Sequence, residues 1–223
     1  MQPAGSVMTL GDFCTIIFAN SSLRSTVGDM SNRYVPDPDK DLVLDTSTMK
    51  ALSHPLRVQM VGILRRFGPA TATTLAQRLG INTGATSYHL RQLAAYGMIV
   101  EDPTQGNARD RWWKAAHRRT YLHAGDFSGE ETTAYLTAIA EVHAANLRLA
   151  AQEMPSLPQE WRDVGTMNDY WLLLTPEETG AMLEELYDVM ARYRTHEDVE
   201  GAPESARRIT VQLEAFRSPG DDE

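Results

Sequence analysis

Six side chains with hydrogen-bonding ends fall within ten positions: Thr83, Thr86, Ser87, His89, Arg91 and Gln92. Their chemistry is recognition rather than bond-making. Hydroxyl, imidazole, guanidinium and amide groups on one short helix match the donors and acceptors that base edges present in a major groove. Tyr88 sits among them with two outlets, a thymine methyl or the protein interior, and the sequence leaves both open. Gly84 and Ala85 are small enough to let the start of this run approach another surface closely. Bond-making chemistry has no comparable cluster. The histidines at 54, 89, 117, 123, 143 and 196 are scattered, and no Ser/His/Asp spacing, phosphate-binding glycine loop or metal-ligand pair emerges. The chain is therefore expected not to be an enzyme and to need neither metal nor cofactor.

Two helices must position these side chains. Leu75, Ala76 and Leu79 give a first helix one apolar face, and Gly80 follows where a helix can stop in the left-handed region. Ile81 points back inward. Asn82-Thr83-Gly84 restarts the chain, and Leu90, Leu93 and Ala94 form the inward face of a second helix. Upstream, Asp45 or Thr46 is placed to cap a helix through Leu52, and Pro55 restarts one with Leu56, Met60, Ile63, Leu64 and Phe67 at helical spacing. Downstream, residues 98–100 read as a strand. Residues 102–110 are turn-rich around Gly106-Asn107, and residues 111–115 read as the returning strand. Trp112 and Trp113 then face opposite sides, one toward the core and one shielding the hairpin or a neighbouring helix. A hairpin directly after a helix-turn-helix is a wing. Gln105, Asn107, Arg109, Arg111 and Lys114 are its candidate DNA contacts, with Arg57 and Arg65 on the flank.

The net charge of −9 conceals an asymmetry. Residues 48–120 hold eleven Lys/Arg against three Asp/Glu, whereas residues 121–223 hold seven against twenty-one. A basic block inside an acidic chain fits one part that faces phosphates and another that does not. Cys14 is the single cysteine, which excludes an internal disulfide and a four-cysteine zinc site. No apolar run approaches the length of a membrane span. Residues 15–19 are too short, and Asp12 before them has the wrong sign for a secretion signal, so a cytoplasmic, nucleoid-associated protein without a membrane partner is expected. Met30 follows this segment and is a second candidate start.

Together, the runs ALSHPLRVQMVGILRRFG, TTLAQRLGINTGATSYHLRQLAAYGMIVE and GNARDRWWKAAH resemble the winged helix-turn-helix of ArsR-type transcriptional regulators over about a third of the chain. The resemblance implies a homodimer that binds operator DNA and usually represses. It matches residues 83–92 to the recognition helix and residues 105–111 to the wing. The cysteine-containing box of metal-sensing members is missing from residues 73–80, and His143 has no second histidine at helical spacing, so metal sensing is not carried over.

Beyond the wing, Ser128 to Glu131 fits a capping box for a helix ending near Gln152 or Glu153. Tyr135, Ile139, Val142, Asn146 and Leu149 step along it as a heptad seam, which we assign to dimerisation, with packing on the chain's own domain as the competing use. Thr175-Pro176 starts another helix, whose inner stripe is Met182, Leu183, Leu186, Val189, Met190 and Tyr193. It is flanked by strand-like residues 169–174 and the alternating residues 208–216. Trp161, Tyr170, Trp171, Met182, Met190 and Tyr193 suit either an apolar pocket for an unknown small-molecule effector or plain core packing.

The expected fold is α+β and mainly helical. It comprises an irregular arm (1–40), a winged helix-turn-helix domain (41–120), a long dimerisation helix (121–155), a strand-helix-strand unit (156–217) and a disordered tail (218–223). The expected function is a homodimeric repressor on a palindromic operator. The alternative is a winged-helix protein-interaction module that does not bind DNA.

Overall fold

A computed structural model describes residues 16–19, 37–105, 110–123, 129–195 and 200–220. Met30, the wing tip with Asn107 and Arg109, the predicted cap Ser128 and the last three residues lie outside them. The chain divides into two units, residues 1–151 and 152–223.

The first unit grows from well-capped helices. Asp45 caps α1 (Thr46–Leu52) through a capping box: its carboxylate accepts from the Thr48 N–H at 2.8 Å, and its own N–H donates to Thr48 Oγ1 at 2.8 Å. His54 caps α2 (Pro55–Phe67), its Nδ1 accepting from the Leu56 N–H at 3.2 Å. A two-residue strand, β3 (Ala70–Thr71), follows, and Thr71 caps α3 (Ala72–Leu79). Gly80 ends α3 at φ 64°, which a side chain would oppose, and the N–H of Ile81 closes the turn onto the Ala76 carbonyl at 3.1 Å. Asn82 then caps α4 (Thr83–Ala95) by accepting from the Ala85 N–H at 2.8 Å.

The wing follows as β4 (Ile99–Glu101) and β5 (Trp112–Ala115), antiparallel with Ile99 opposite Ala115 and Glu101 opposite Trp113. β3 pairs with the far edge of β5, completing a three-stranded sheet. Trp113 is the buried tryptophan of the expected pair, and Trp112 is half-buried. A second sheet has β6 (Arg119–His123) at its centre, with β1 (Ile16–Ala19) and β2 (Asp41–Val43) parallel on either side. None of β1, β3 and β6 is expected from the sequence, and β1 lies within the arm expected to be irregular. Each is too short to show a period and forms only because a distant strand pairs with it.

The long helix α5 runs from Glu130 to Glu153. Its heptad seam is not a free dimerisation face. Tyr135, Ile139 and Val142 are buried in the same core cluster as Met49, Leu52 and Leu122, and Leu149 is half-buried. Thr132 donates its hydroxyl hydrogen to Met49 Sδ at 3.5 Å, tying α5 to α1. Asn146 is buried with neither side-chain polar atom hydrogen-bonded. An apolar stripe repeating every three to four residues serves a chain's own core as well as a partner's, and here it serves the core.

The second unit contains α6 (Gln159–Arg162) and α7 (Pro176–Ala191). Thr175 caps α7 in a full capping box with Glu178, as its sequence predicts. The flanking strands do not form: residues 169–174 and 208–216 have no strand assignment. The fold is thus mixed α and β with a long helix late in the chain, and the strand-helix-strand expectation reduces to its helix.

Candidate nucleic-acid interface

A helix shows a groove only the arc it does not bury, so the exposure of each α4 side chain decides its use. Thr83, Tyr88 and Arg91 are exposed, and Ser87 and Gln92 are partly so. Arg91 lies along the helix, its Nε donating to the Ser87 carbonyl at 3.1 Å. Gly84 is exposed at the same end. A Cβ added there would stand 3.3 Å from the capping Oδ1 of Asn82, so glycine keeps both the cap and the approach clear.

Two members of the expected set point the other way. Thr86 is fully buried, and its hydroxyl donates to the Asn82 carbonyl at 3.1 Å, which satisfies it inside the helix. His89 is buried with its ring 4.6 Å from that of His54 and edge-on to Tyr88 at 5.4 Å. Burial pushes the His89 imidazole below its ordinary value, and nearby His54 and Arg57 add to the shift. His54 is shifted the same way, by burial first and then by Arg57. Both rings therefore favour the neutral form, which leaves His54 Nδ1 able to accept the capping hydrogen bond. The available signal was spacing: positions 86, 90 and 93 step by four and three, which is the inward stripe itself. Tyr88 was the residue left open. Its exposure of 52% puts it on the outward face.

The wing begins on an Asp102 turn, whose carboxylate accepts from the Thr104 N–H at 3.1 Å and from its hydroxyl at 2.7 Å. Gln105 is exposed beyond it. Arg111 is exposed and pairs with Glu101 at 3.1 Å, with its guanidinium 5.6 Å from the Trp113 ring centre. Lys114 is exposed and lies 3.8 Å from Asp102. The Arg111–Glu101 pair is exposed on both sides, so it contributes little and exchanges readily for a phosphate, whereas the Asp102 carboxylate beside Lys114 is buried.

The flanking arginines are committed elsewhere. Arg57 donates through Nε to the Ala51 carbonyl and through Nη2 to the Lys50 carbonyl at 3.0 Å, closing the C-terminal end of α1. Arg65 donates to the His117 carbonyl at 2.9 Å and to Thr120 Oγ1 at 2.8 Å, joining α2 to the segment leading into β6. Their placement at the outer helix positions did not reveal these carbonyl partners, which come from other elements.

Among the described residues no group of three or more His, Cys, Asp or Glu is arranged to hold a metal ion, and no helix is long and apolar enough to cross a membrane. The aromatic residues considered for an effector pocket do not enclose one: Tyr170, Trp171 and Tyr193 all stand in solvent.

Residues 52–102 match the family model of a helix-turn-helix domain. The matched span runs from the end of α1 through β4, and it supports a DNA-binding regulator. No curated protein matches the chain. Similar solved structures include RV1404 from Mycobacterium tuberculosis, with 14% identity over 66% of this chain and 81% of that one, at a TM-score of 0.27. The adhesin competence repressor AdcR from Streptococcus pyogenes shares 13% identity over 67% and 80%, at a TM-score of 0.26. A mutant MarR from E. coli complexed with operator DNA shares 17% over 65% and 85%, also at 0.26. At these scores the ground for the fold is the winged arrangement of α2, α3, α4, β4 and β5 itself.

Proposed function

We propose that the chain is a sequence-specific, double-stranded-DNA-binding transcriptional regulator of the ArsR-like type, working as a homodimeric repressor on a palindromic operator in the cytoplasm. The carrying observation is the outward face of α4, where Thr83, Ser87, Tyr88, Arg91 and Gln92 lie together on a helix whose other arc is locked into the core. Arg111 and Lys114, with Gln105 and the tip residues Asn107 and Arg109, supply the wing. Phosphate contacts give most of the affinity and make it fall with salt. The α4 side chains give base preference, each good contact contributing ~1–3 kcal/mol.

The alternative, a winged-helix module that binds protein, draws on the acid partners of both wing cations, Glu101 and Asp102. Selection of bound fragments from random duplex DNA by the purified chain separates the two. The regulator reading predicts an enriched inverted repeat with half-sites about one helical turn apart. Uniform recovery of all sequences, or none retained at moderate salt, contradicts it.

A further inference from the structure

The homodimer reading needs an interface, and the α5 seam is already buried in the core of its own unit. The second unit has the opposite condition. Tyr170, Trp171, Tyr193 and Phe216 are 79, 91, 73 and 77% exposed. At ~150–250 Å² per aromatic side chain these four rings alone leave roughly 700 Å² in water, before Leu172, Leu173, Ile209 and Val211 are added. A standard interface buries about 800 Å² per partner.

The two runs have complementary strand patterns. Residues 170–174 are apolar without interruption, as in a strand covered on both faces. Residues 208–216 alternate, with Ile209, Val211, Leu213 and Ala215 on one face, as in a strand with one wet side. Their surroundings differ in charge: Asp169, Glu177 and Glu178 lie at the first, whereas Arg207, Arg208 and Arg217 outnumber Glu204 and Glu214 at the second. Laying a run beside its own copy brings like charges together, whereas laying one run beside the other brings opposite charges together. Residues 152–223 hold six arginines and no lysine against seventeen Asp/Glu, which opposes docking on DNA or an anionic membrane.

We propose that two copies of this chain complete each other here: residues 169–174 of one copy pair with residues 208–216 of the second in an intermolecular β-sheet. This rests on the homodimer reading and gives it a location. The symmetry is two-fold, so both pairings form at once and no strand edge carries on to a third copy. Because residues 152–223 of each copy are acidic overall, salt screens the repulsion between the two copies and tightens the dimer. That is opposite to the weakening salt imposes on DNA binding.

The test is hydrogen exchange on the full chain across a hundredfold range of protein concentration, alongside sedimentation of the full chain and of a W171D/V211D double variant. Both substituted positions are exposed, so the variant retains the melt of the winged unit. The expected result is slow exchange in both runs that becomes slower with concentration, and a variant that sediments as a monomer. Slow exchange independent of concentration means a sheet within one chain and overturns the proposal. Fast exchange in a chain that still sediments as a dimer also overturns it, while leaving the homodimer reading intact. A chain that is monomeric throughout, yet selects an inverted repeat with full affinity, removes the homodimer reading as well.

Discussion

In the first unit Leu75, Leu90, Leu93, Trp113 and Tyr135 are buried together, and the threonines that enter this core, Thr48, Thr86 and Thr132, do so hydrogen-bonded. In the second unit Trp171, Leu173, Ile209 and Val211 stand in water on either side of a well-capped helix. Both units are written with ordinary helix and strand patterns. The difference is that the helices of the first satisfy their backbones locally and find apolar partners in the same chain, whereas the strand-like runs of the second have no partner strand. Strand pattern without a neighbouring strand specifies a requirement, not a structure.

The largest effect that sharpens this contrast is on stability. Leu93→Ala, at a fully buried position of α4, should cost ~2–5 kcal/mol in urea unfolding of the winged unit. Trp171→Ala, at a far larger but exposed side chain, should change that transition by less than ~0.5 kcal/mol. Comparable losses from both would mean that the exposed segment is part of the first unit's core.

Acid should act next, and on the first unit. Burial holds His54, His89 and His117 below their ordinary value of 6.5. As pH falls through that value the unfolded chain takes up protons before the folded one does. The stability is therefore fully present above about pH 6.5 and declines on acidification, by at most ~1.4 kcal/mol per pH unit for each group. The loss ends once the folded pKa values are passed. Asp45 and Asp102 are also held low, by hydrogen bonds from Thr48 and Thr104 first, and their contributions disappear only in the carboxylate range, below 3.8. Urea titrations from about pH 8 to about pH 5 check this, and a flat profile contradicts the buried imidazoles.

These contrasts also mark what the sequence could carry. The helix-turn-helix was legible because its signals are local: the apolar spacing of Leu75, Leu79, Leu90 and Leu93, the left-handed Gly80 and the Asn82 cap. The wing was legible from turn chemistry between two short runs. Polarity was the misleading signal on α4. Thr86 and His89 carry polar groups, yet one hydroxyl satisfied by a carbonyl four residues back and one ring packed at a tilt against His54 make them interior residues. Arg57 and Arg65 have partners, backbone carbonyls and the Thr120 hydroxyl, that no pattern along the sequence announces. The α5 seam shows a different limit: helical spacing identifies a buried face without saying what buries it.

The central claim is that the outward arc of α4 reads DNA while its inward arc only holds the helix in place. The most direct measurement compares base preference, by anisotropy titration against the selected site and single-base variants of it, for R91A and T86V. Arg91→Ala should relax preference at one position of each half-site by ~1–3 kcal/mol. Thr86→Val, nearly isosteric and inside the core, should leave the pattern of preference unchanged even where stability drops. Preference retained by Arg91→Ala and altered by Thr86→Val would contradict the account.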